Sequence, residues 1–354
     1  MSRFFSEKYK KLVPYTPGEQ PKDTQYIKLN TNESPFPPSD RAIRYASEAA
    51  HSLELYSDPT SSVLCEEFAK AVGVSPDEVL PTNGSDEILN FAFMAFCDKD
   101  HPAVFADITY GFYPVFADIN GVPYEEIPLN PDFTINVSDY CGIGKTIFIA
   151  NPNAPTGIAL SVDKIEKIIA SNPDSVVVVD EAYVDFGGES CVPLIHKYSN
   201  LLVTQTFSKS RSMAGARLGF GIACKELIRD LNTVKYSTNP YNVNRMTHAA
   251  GIGILKDADY TAKNCAVIME NREFASEELV KLGFEVTESK TNFIFAKHND
   301  IGGKTLYEKL KARGILVRHF EKPRISEYNR ITVGTRHQMQ ALIQAIKSIL
   351  EEEK

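Results

Sequence analysis

The stretch TQTFSKSRSMAGARLGFGIA, residues 204–223, decides the fold, because it joins an apolar run to a lysine and then to an arginine. The run before it, Leu201–Val203, predicts a buried strand. Lys209 lies in the Ser-Lys-Ser turn that follows, and Arg217 comes eight residues later among Ala, Gly and Leu. A solvated surface lysine needs neither a buried strand before it nor an arginine among small and apolar residues after it. The stretch therefore indicates a strand that carries Lys209 to a site.

Short apolar runs of the same kind occur earlier in the chain. They are continuous rather than alternating, which is typical of strands buried on both faces. The predicted strands are Ala103–Ala106, Thr146–Ala150, Val176–Val179 and Leu201–Val203. Helical patterns lie between them, as at Glu87–Cys97 and at 162–170, where four apolar residues share one face: Val162, Ile165, Ile168 and Ile169. The alternation predicts an α/β fold with a mainly parallel sheet covered by helices.

The pattern changes after about residue 255. A long helical segment, 260–282, precedes short strands predicted at Phe284–Glu288, Asn292–Ala296, Ile315–His319 and Arg330–Val333. A final helix carries apolar residues at helical spacing: Met339, Leu342, Ile343, Ile346, Ile349 and Leu350. We therefore predict a large α/β domain over 45–250. A smaller α+β domain over 251–354 is predicted to join an N-terminal arm over 1–44.

Composition and charge narrow the classes of function. A chain of 354 residues fits one large domain or two moderate ones. The net charge of −8 argues against nucleic acid or an anionic membrane as a partner, since both need basic patches. Six scattered cysteines without a CxxC pair indicate reduced thiols. No apolar run has membrane-spanning length, and the N-terminus turns polar too early for a signal peptide. We expect a soluble, cytoplasmic protein.

Two other kinds of site are not expected. The seven histidines include no HExxH motif and no repeated spacing, so we expect no metal. The segment CGIGKT, 141–146, resembles a phosphate-binding loop, but Asp139 occupies the position of its required first glycine.

Polar residues follow three of the predicted strands at their carboxyl ends. Asp180-Glu181-Ala182-Tyr183 follows one strand, NPNAPTG (151–157) follows another, and Ser208-Lys209 follows the third. Ligands of parallel sheets bind beyond these ends. The three segments are therefore predicted to converge on one site.

Each of these residues has a structural interpretation beside the chemical one. Lys209 is either a solvated loop lysine or, in a pocket, an amine that attacks a carbonyl. Asp180 is either a turn residue or the carboxylate that holds a pyridine nitrogen protonated. The segment 82–87 caps a helix, and its free N–H groups also suit a phosphate. Arg217 would add a charge-assisted bond of about 1.5–3 kcal/mol. Together these are the components of a pyridoxal 5'-phosphate site.

Motifs along nearly the whole chain resemble the fold-type I pyridoxal-phosphate-dependent aminotransferases of class II. Within them the resemblance is greatest to the histidinol-phosphate aminotransferase family. In chain order the motifs are LVPYTPG (12–18), LNTNESPFPPS (29–39), YSDP (56–59), NGSDEIL (83–89), TYGFY (109–113), NPNAPTG (151–157), DEAYVDF (180–186), TFSKS (206–210), GARLGF (215–220) and NRITVGT (329–335). The resemblance implies transfer of an amino group from L-histidinol phosphate to 2-oxoglutarate, in histidine biosynthesis.

The resemblance also implies roles in catalysis and cofactor binding. Lys209 would bond to the aldehyde of the cofactor and move the substrate proton. Asp180 would pair with the pyridine nitrogen, and Tyr183 would donate to the ring's phenolate oxygen. Tyr110 would stack on the ring, although it could also be a core aromatic. The residues expected at the phosphate are Gly84, Ser85, Asp86, Ser208 and Arg217. Asp86 would act through its backbone N–H, because its carboxylate would repel the phosphate.

Further residues are implied for the substrate and for assembly. Arg330 would bind the carboxylate of glutamate and the phosphate of histidinol phosphate, with Arg318 and Tyr15 assisting. Tyr56 would reach the cofactor phosphate in the neighbouring subunit of a homodimer, although it could also be an ordinary turn aromatic.

One position departs from the family's pattern. The family usually has Asn directly before Pro-Thr-Gly, where its amide meets the phenolate oxygen, but this chain has Ala154. The role is not assigned to Asn153, because adjacent side chains in an extended segment point in opposite directions. The tuning of the cofactor would therefore rest on Tyr183 alone.

Three other functions stay open at this point. Two use the same scaffold: an aromatic amino-acid aminotransferase and a decarboxylase of a phosphorylated amino acid. The third is a non-catalytic effector-binding domain. The acidic charge and the retained Lys209 argue against that third function.

Overall fold

The computed structural model describes residues 2–21 and 26–353, and strands alternate with helices through its first two thirds. The strands are β1 (Ile27–Lys28), β2 (Val79–Thr82), β3 (Ala103–Ala106), β4 (Tyr124–Ile127), β5 (Thr146–Ala150), β6 (Val177–Asp180), β7 (Leu201–Thr206), β8 (Gly219–Ala223), β9 (Phe284–Val286), β10 (Phe293–His298), β11 (Ile315–Leu316), β12 (Arg318–His319) and β13 (Asn329–Thr332). The α-helices are α1 (Asp40–Ala49), α2 (Ser62–Val72), α3 (Ser85–Phe96), α4 (Tyr113–Asn120), α5 (Val162–Ser171), α6 (Lys225–Thr238), α7 (Arg245–Leu255), α8 (Ala258–Lys281), α9 (Gly303–Ala312) and α10 (Arg336–Glu352).

A seven-stranded sheet with the order β2-β8-β7-β6-β5-β3-β4 forms the centre of the large domain. The five strands from β7 to β4 are parallel, whereas β8 is antiparallel to both of its neighbours. Every residue of β3, β5, β6 and β7 is buried. Successive residues of β5 enter opposite cores, with Ile147 in one and Phe148 in the other. The predicted mainly parallel α/β sheet, covered on both faces, is confirmed.

The last third of the chain forms a four-stranded antiparallel sheet with the order β12-β13-β10-β9. Residues of α8, α9 and α10 pack with this sheet in a separate hydrophobic cluster. The single strand predicted at Ile315–His319 is two strands, because the segment changes partner at Val317. Its first half, β11, pairs with β1 of the arm, and its second half, β12, pairs with β13. The predicted domain limits at residues 44 and 250 stay a prediction.

The prediction missed three strands of the large sheet and ended two others, β6 and β7, too early. β4 is mostly exposed at the sheet edge, so its sequence YEEI lacks an apolar run. Strand β8 begins Gly-Phe-Gly, so two of its first three residues have no side chain and give no apolar signal. A Cβ on Gly219 would lie 2.4 Å from the backbone nitrogen of Ser85, so glycine lets α3 begin against the strand. β2 contains a proline, which disfavours a strand interpretation. Strand β6 runs to Asp180, so this carboxylate lies at the last strand position.

Within the described residues, no helix is both long enough and apolar enough to cross a membrane.

Candidate active site

A pocket opens at the carboxyl edge of the central strands. Ala150, Asp180 and Thr206, which are the last residues of β5, β6 and β7, all line it. The predicted site residues that line it are Ser85, Asp86, Tyr110, Asp180, Tyr183, Ser208, Lys209 and Arg217. Thr31 and Glu33 of the N-terminal arm also contribute to the wall. The three strand ends therefore converge, as parallel strands should.

Lys209 reaches this pocket from a turn that is fixed on both sides. Before it, the hydroxyl of Thr206 accepts the backbone N–H of Ser208 at 3.2 Å. After it, Ser210 and Arg211 both donate to the carboxylate of Asp185, the guanidinium at 2.8 Å. The amine itself contacts the carbonyl oxygen of Thr31 at 3.5 Å and lies 5.9 Å from the centre of the Tyr183 ring. Both contacts are with uncharged groups.

Asp180 is a buried carboxylate whose side-chain partners are uncharged. It accepts hydrogen bonds from the hydroxyls of Tyr113 and Thr204, both at 3.1 Å. Burial raises the pKa of Asp180 to about 6, because the low-dielectric interior disfavours the charged form. A protonated nitrogen placed against this carboxylate would supply the missing positive charge. The site therefore fits a pyridinium group.

The start of α3 forms the opposite end of the pocket. Gly84 precedes the helix with φ of 79°, and no side chain caps the free N–H groups of the first turn. Arg217, itself at φ of 57°, places its Nη1 3.4 Å from the hydroxyl of Ser208. A Cβ on Gly84 would lie 2.4 Å from Nη2 of Arg217, so a side chain here would displace the guanidinium. An uncapped helix start beside an arginine fits a phosphate.

Asp86 and Tyr110 bind one another at this end. The carboxylate of Asp86 accepts from Nη2 of Arg217 at 3.0 Å and from the hydroxyl of Tyr110 at 2.6 Å. Burial first, and the Asp86 carboxylate second, raise the pKa of Tyr110 well above its ordinary value. The Asp86 side chain is thus engaged with two neighbours, and its backbone N–H belongs to the uncapped first turn.

A second chamber continues from the first and shares Thr31, Tyr110, Ala154, Tyr183 and Lys209 with it. Three residues predicted to bind substrate line this chamber: Tyr15, Arg318 and Arg330.

Arg330 is the most unusual group of the second chamber. Its Nη2 donates to the carbonyl oxygen of Asn30 at 3.0 Å, while its Nε is buried and bonds to no acceptor within residues 2–21 and 26–353. Burial lowers the pKa of Arg330. Arg318 donates to the carbonyl oxygens of Thr16 and Pro17 at 3.1 and 3.3 Å. Both guanidinium groups thus bond to neutral carbonyls of the arm, which leaves the chamber positively charged and suited to an anion.

Tyr183 and the NPNAPTG segment meet where the two chambers join. The hydroxyl of Tyr183 accepts from the amide of Asn32 at 2.9 Å. Ala154 lines both chambers. Asn153 is buried elsewhere, and its amide donates to Ile108 and Thr156 at 2.9 and 3.0 Å. Asn153 therefore has no free amide hydrogen to offer the pocket.

Tyr56 lies outside this pocket. Its side chain is 78% exposed and stacks on Tyr241, with ring centres 4.4 Å apart and planes 18° from parallel. Arg245 donates to the carbonyl oxygen of Tyr56 at 2.6 Å. The structure thus presents this ring on the surface.

Sequence reasoning missed four residues that shape the site. Tyr113 and Thr204 bond to Asp180, Asn32 bonds to Tyr183, and Glu33 lines the pocket. Tyr113 and Asn32 lie inside the quoted motifs TYGFY and LNTNESPFPPS, so their motifs pointed to them. No spacing links either residue to its partner, which lies 67 or 151 residues away. Within the described residues, no group of three or more His, Cys, Asp or Glu side chains could hold a metal ion.

Known proteins resemble this chain in both sequence and fold. Residues 24–346 match the family model described as "Aminotransferase class I and II". A histidinol-phosphate aminotransferase of Brachyspira hyodysenteriae is 47% identical over 353 residues, which cover 99% of this chain and 100% of that protein. One of Acinetobacter baumannii is 47% identical over 349 residues, covering 98% and 97%.

The fold is also that of a solved structure. Histidinol-phosphate aminotransferase from Sinorhizobium meliloti, in complex with pyridoxal-5'-phosphate, has a TM-score of 0.82. It is 21% identical and covers 92% of each chain, so it supports the fold alone.

Asp180→Asn, studied in the cofactor-free protein, tests whether the buried Asp180 carboxylate lacks a compensating positive charge. Because the pKa of Asp180 is raised from 3.8 to about 6, the folded protein holds a proton here that the unfolded chain releases. The stability from this group is present below about pH 4 and is lost as the pH rises through 6. Between pH 4 and pH 8, wild type should therefore lose about 3 kcal/mol of unfolding free energy relative to Asp180→Asn. Urea denaturation of both proteins at each pH measures this difference. Asp300→Asn on the surface is the control, and an equal, flat profile for both variants would contradict the argument.

Proposed function

The chain belongs to the aminotransferase class I and II family, and we propose that it converts L-histidinol phosphate and 2-oxoglutarate to imidazole-acetol phosphate and L-glutamate. It is an aminotransferase with pyridoxal phosphate as cofactor. One observation carries the choice of substrate beside the relatives at 47% identity. The Lys209 amine opens both to the chamber that fits the cofactor and to the chamber that contains Arg330. Among the described residues, the buried Nε of Arg330 has no hydrogen-bond acceptor.

The residues of the first chamber fit the cofactor at both ends. The Asp180 carboxylate would hold the pyridine nitrogen in its protonated form, since its own partners are neutral hydroxyls. The N–H groups of Ser85 and Asp86 would bind the phosphate at the uncapped start of α3. Ser208 and Arg217 would complete that phosphate site, and Gly84 keeps room for the guanidinium. Tyr110 would lie along the ring, with its hydroxyl held by Asp86.

The chemistry follows from where Lys209 stands. When bound, pyridoxal phosphate supplies an aldehyde carbon that exchanges the amino group and a ring that accepts electrons from the substrate. The Lys209 amine would hold that carbon until the amino group of the substrate displaces it, and the freed amine would then carry the proton between that carbon and the α-carbon of the substrate. Tyr183 would donate its hydroxyl hydrogen to the ring oxygen. The arm residues Thr31 and Glu33 would shield the reacting atoms from water.

The second chamber supports recognition of two unlike substrates through an anion. Histidinol phosphate offers a phosphate and glutamate a carboxylate, and a guanidinium can bind either with two parallel hydrogen bonds. Arg330 would make this contact through its free Nε and an adjacent nitrogen. Arg318 and Tyr15 would assist from the side of the arm, where Tyr15 is fixed by stacking on Phe112 at 4.2 Å.

A single half-reaction tests this function. Protein loaded with pyridoxal phosphate should lose its visible absorption band when histidinol phosphate is added, and should recover it on addition of 2-oxoglutarate. Lys209→Ala should abolish the reaction while keeping the fold, and Lys164→Ala on the exposed face of α5 should react normally. Loss of the band with an aromatic amino acid but not with histidinol phosphate would reassign the substrate. Release of carbon dioxide would instead indicate a decarboxylase.

Arg330→Gln tests the shared anion contact. Loss of a charge-assisted bond of about 1.5–3 kcal/mol should raise the KM for histidinol phosphate and for glutamate by roughly 10- to 150-fold each. The cofactor band should persist, because Arg330 lies in the second chamber. Arg313→Gln, which removes a surface pair with Glu352, is the matched control. An effect on one substrate alone would show that the two anions bind at different places.

We infer that the enzyme is a homodimer and that Tyr56 reaches the cofactor phosphate of the neighbouring subunit. Leu53, Leu55, Tyr56 and Tyr241 form an exposed apolar patch, each with 41–78% of its surface accessible. Hydrogen bonds anchor the segment just after Tyr56, because Ser57 donates to Val243 at 2.7 Å and the buried Lys235 donates to the carbonyl oxygen of Pro59. An exposed apolar patch is typical of an interface.

The paired substitution Leu53→Asp with Leu55→Asp should produce monomers in sedimentation equilibrium. Those monomers should also release pyridoxal phosphate more readily, because the partner's tyrosine is lost. Val280→Asp, at an exposed apolar residue of α8, should stay dimeric. Monomeric wild type with full cofactor affinity would contradict the inference.

We also infer a cytoplasmic enzyme of small-molecule metabolism. All six cysteines are unpaired thiols, as is typical of a reducing compartment.

A further inference from the structure

Asn32 of the arm forms two hydrogen bonds with Thr332 and one with Tyr183. The residue is 1% exposed and has a left-handed backbone, with φ of 56°. Its backbone N–H donates to the hydroxyl of Thr332 at 2.9 Å, and that hydroxyl donates back to Oδ1 of Asn32 at 3.0 Å. Its Nδ2 then donates to the Tyr183 hydroxyl at 2.9 Å. The backbone and both side-chain atoms of Asn32 are therefore engaged.

The orientation of the Asn32 amide follows from this set. The Thr332 oxygen already accepts the backbone N–H, so its single hydrogen must find an acceptor, and Oδ1 is in place. Turning the amide over would set its NH2 group against that hydroxyl and leave the hydrogen without an acceptor. The amide nitrogen therefore faces Tyr183.

The direction of the Tyr183 hydroxyl follows in turn. Its oxygen accepts the Asn32 amide, and its one hydrogen cannot point at a donor. Tyr183 lines both chambers, so the hydrogen is free to point into the pocket.

We propose that Asn32 is a positioning residue that keeps the hydroxyl hydrogen of Tyr183 directed into the pocket, toward the ring oxygen of the cofactor. The inference rests on the proposed function. It matters in this chain because the wall offers Ala154 in place of an amide, and because the Asn153 amide is engaged with Ile108 and Thr156. Tyr183 is left as the donor, so the direction of its hydrogen decides whether the ring oxygen is stabilised as an anion.

The hydrogen bonds of Asn32 connect the small sheet to Tyr183 of the large domain. Thr332 lies on β13 of the small sheet, two residues after Arg330. One strand thus carries both the guanidinium proposed for the substrate anion and the hydroxyl that sets the Asn32 amide.

The test measures the pH at which the visible band of the cofactor-loaded protein is half-converted. Tyr183→Phe removes the donor and should raise this midpoint by about one pH unit or more, since a hydrogen bond to the charged form lowers a pKa. Thr332→Val adds no charge but frees the amide to turn, so it should raise the midpoint in the same direction. Thr332→Ser keeps the hydroxyl and should titrate like wild type.

A double-mutant cycle separates orientation from charge. In Asn32→Asp the carboxylate accepts the Tyr183 hydrogen and turns it away from the pocket, but the new charge also raises the midpoint. Only the charge effect remains in the Tyr183→Phe background. The shift caused by Asn32→Asp should therefore be larger when Tyr183 is present, and Thr332→Val should add nothing to Tyr183→Phe.

Thermal unfolding of the cofactor-free variants distinguishes positioning from support of the arm. If Asn32 and Thr332 only anchor the chain, their variants will unfold earlier while the midpoint stays at the wild-type value, and the inference is overturned. The wild-type half-reaction keeps this failure separate from failure of the function. A wild type that reacts with histidinol phosphate while all variants titrate alike would sink the inference alone. A wild type that forms no band would sink both.

Discussion

The in-register parallel pairing of β5, β6 and β7 is the constraint on which the site depends. Ala150, Asp180 and Thr204 are direct neighbours across these strands, and the Thr204 hydroxyl donates to Asp180 along this row. Because parallel strands end at one edge, the segments after them must meet there. The Asp180 carboxylate and the turn with Lys209 therefore face one pocket although 29 residues separate them. A slip of one residue would reverse the face of every side chain and remove Asp180 from the pocket.

Each of the two chambers contains a buried charged side chain that lowers the stability of the fold: Asp180 in the first and Arg330 in the second. Burial raises the pKa of Asp180 to about 6 and lowers that of Arg330, and neither side chain forms an ion pair with the other. Instead Asp180 bonds to hydroxyls and Arg330 to a backbone carbonyl. Buried charges with neutral partners cost stability, and they persist where binding supplies the missing charge. A cationic ring nitrogen at one end and a substrate anion at the other would each supply it.

The sequence predicts those parts of the fold and site that local pattern determines. Continuous apolar runs located β3, β5, β6 and β7, and the strand-end rule brought Asp180 and Lys209 together. Three strands were missed because exposure in β4, proline in β2 and alternating glycine in β8 remove the apolar signal. Contacts between distant segments carry no local pattern at all. The Tyr113 hydroxyl on Asp180 and the Asn32 amide on Tyr183 depend on how the helices and the arm pack.

The arm binds the site through three consecutive residues. The carbonyl of Asn30 accepts from Arg330, the carbonyl of Thr31 contacts the Lys209 amine, and the amide of Asn32 bonds to Tyr183. Backbone bonds hold the residue just before this tripeptide, since Leu29 donates to Leu316 of β11 and accepts from Thr332 of β13. A shift of β13 would thus move the contacts of Arg330, Lys209 and Tyr183 together. If Arg330 binds the substrate as proposed, substrate binding and the chemistry proposed for Lys209 would be linked through the backbone of this tripeptide.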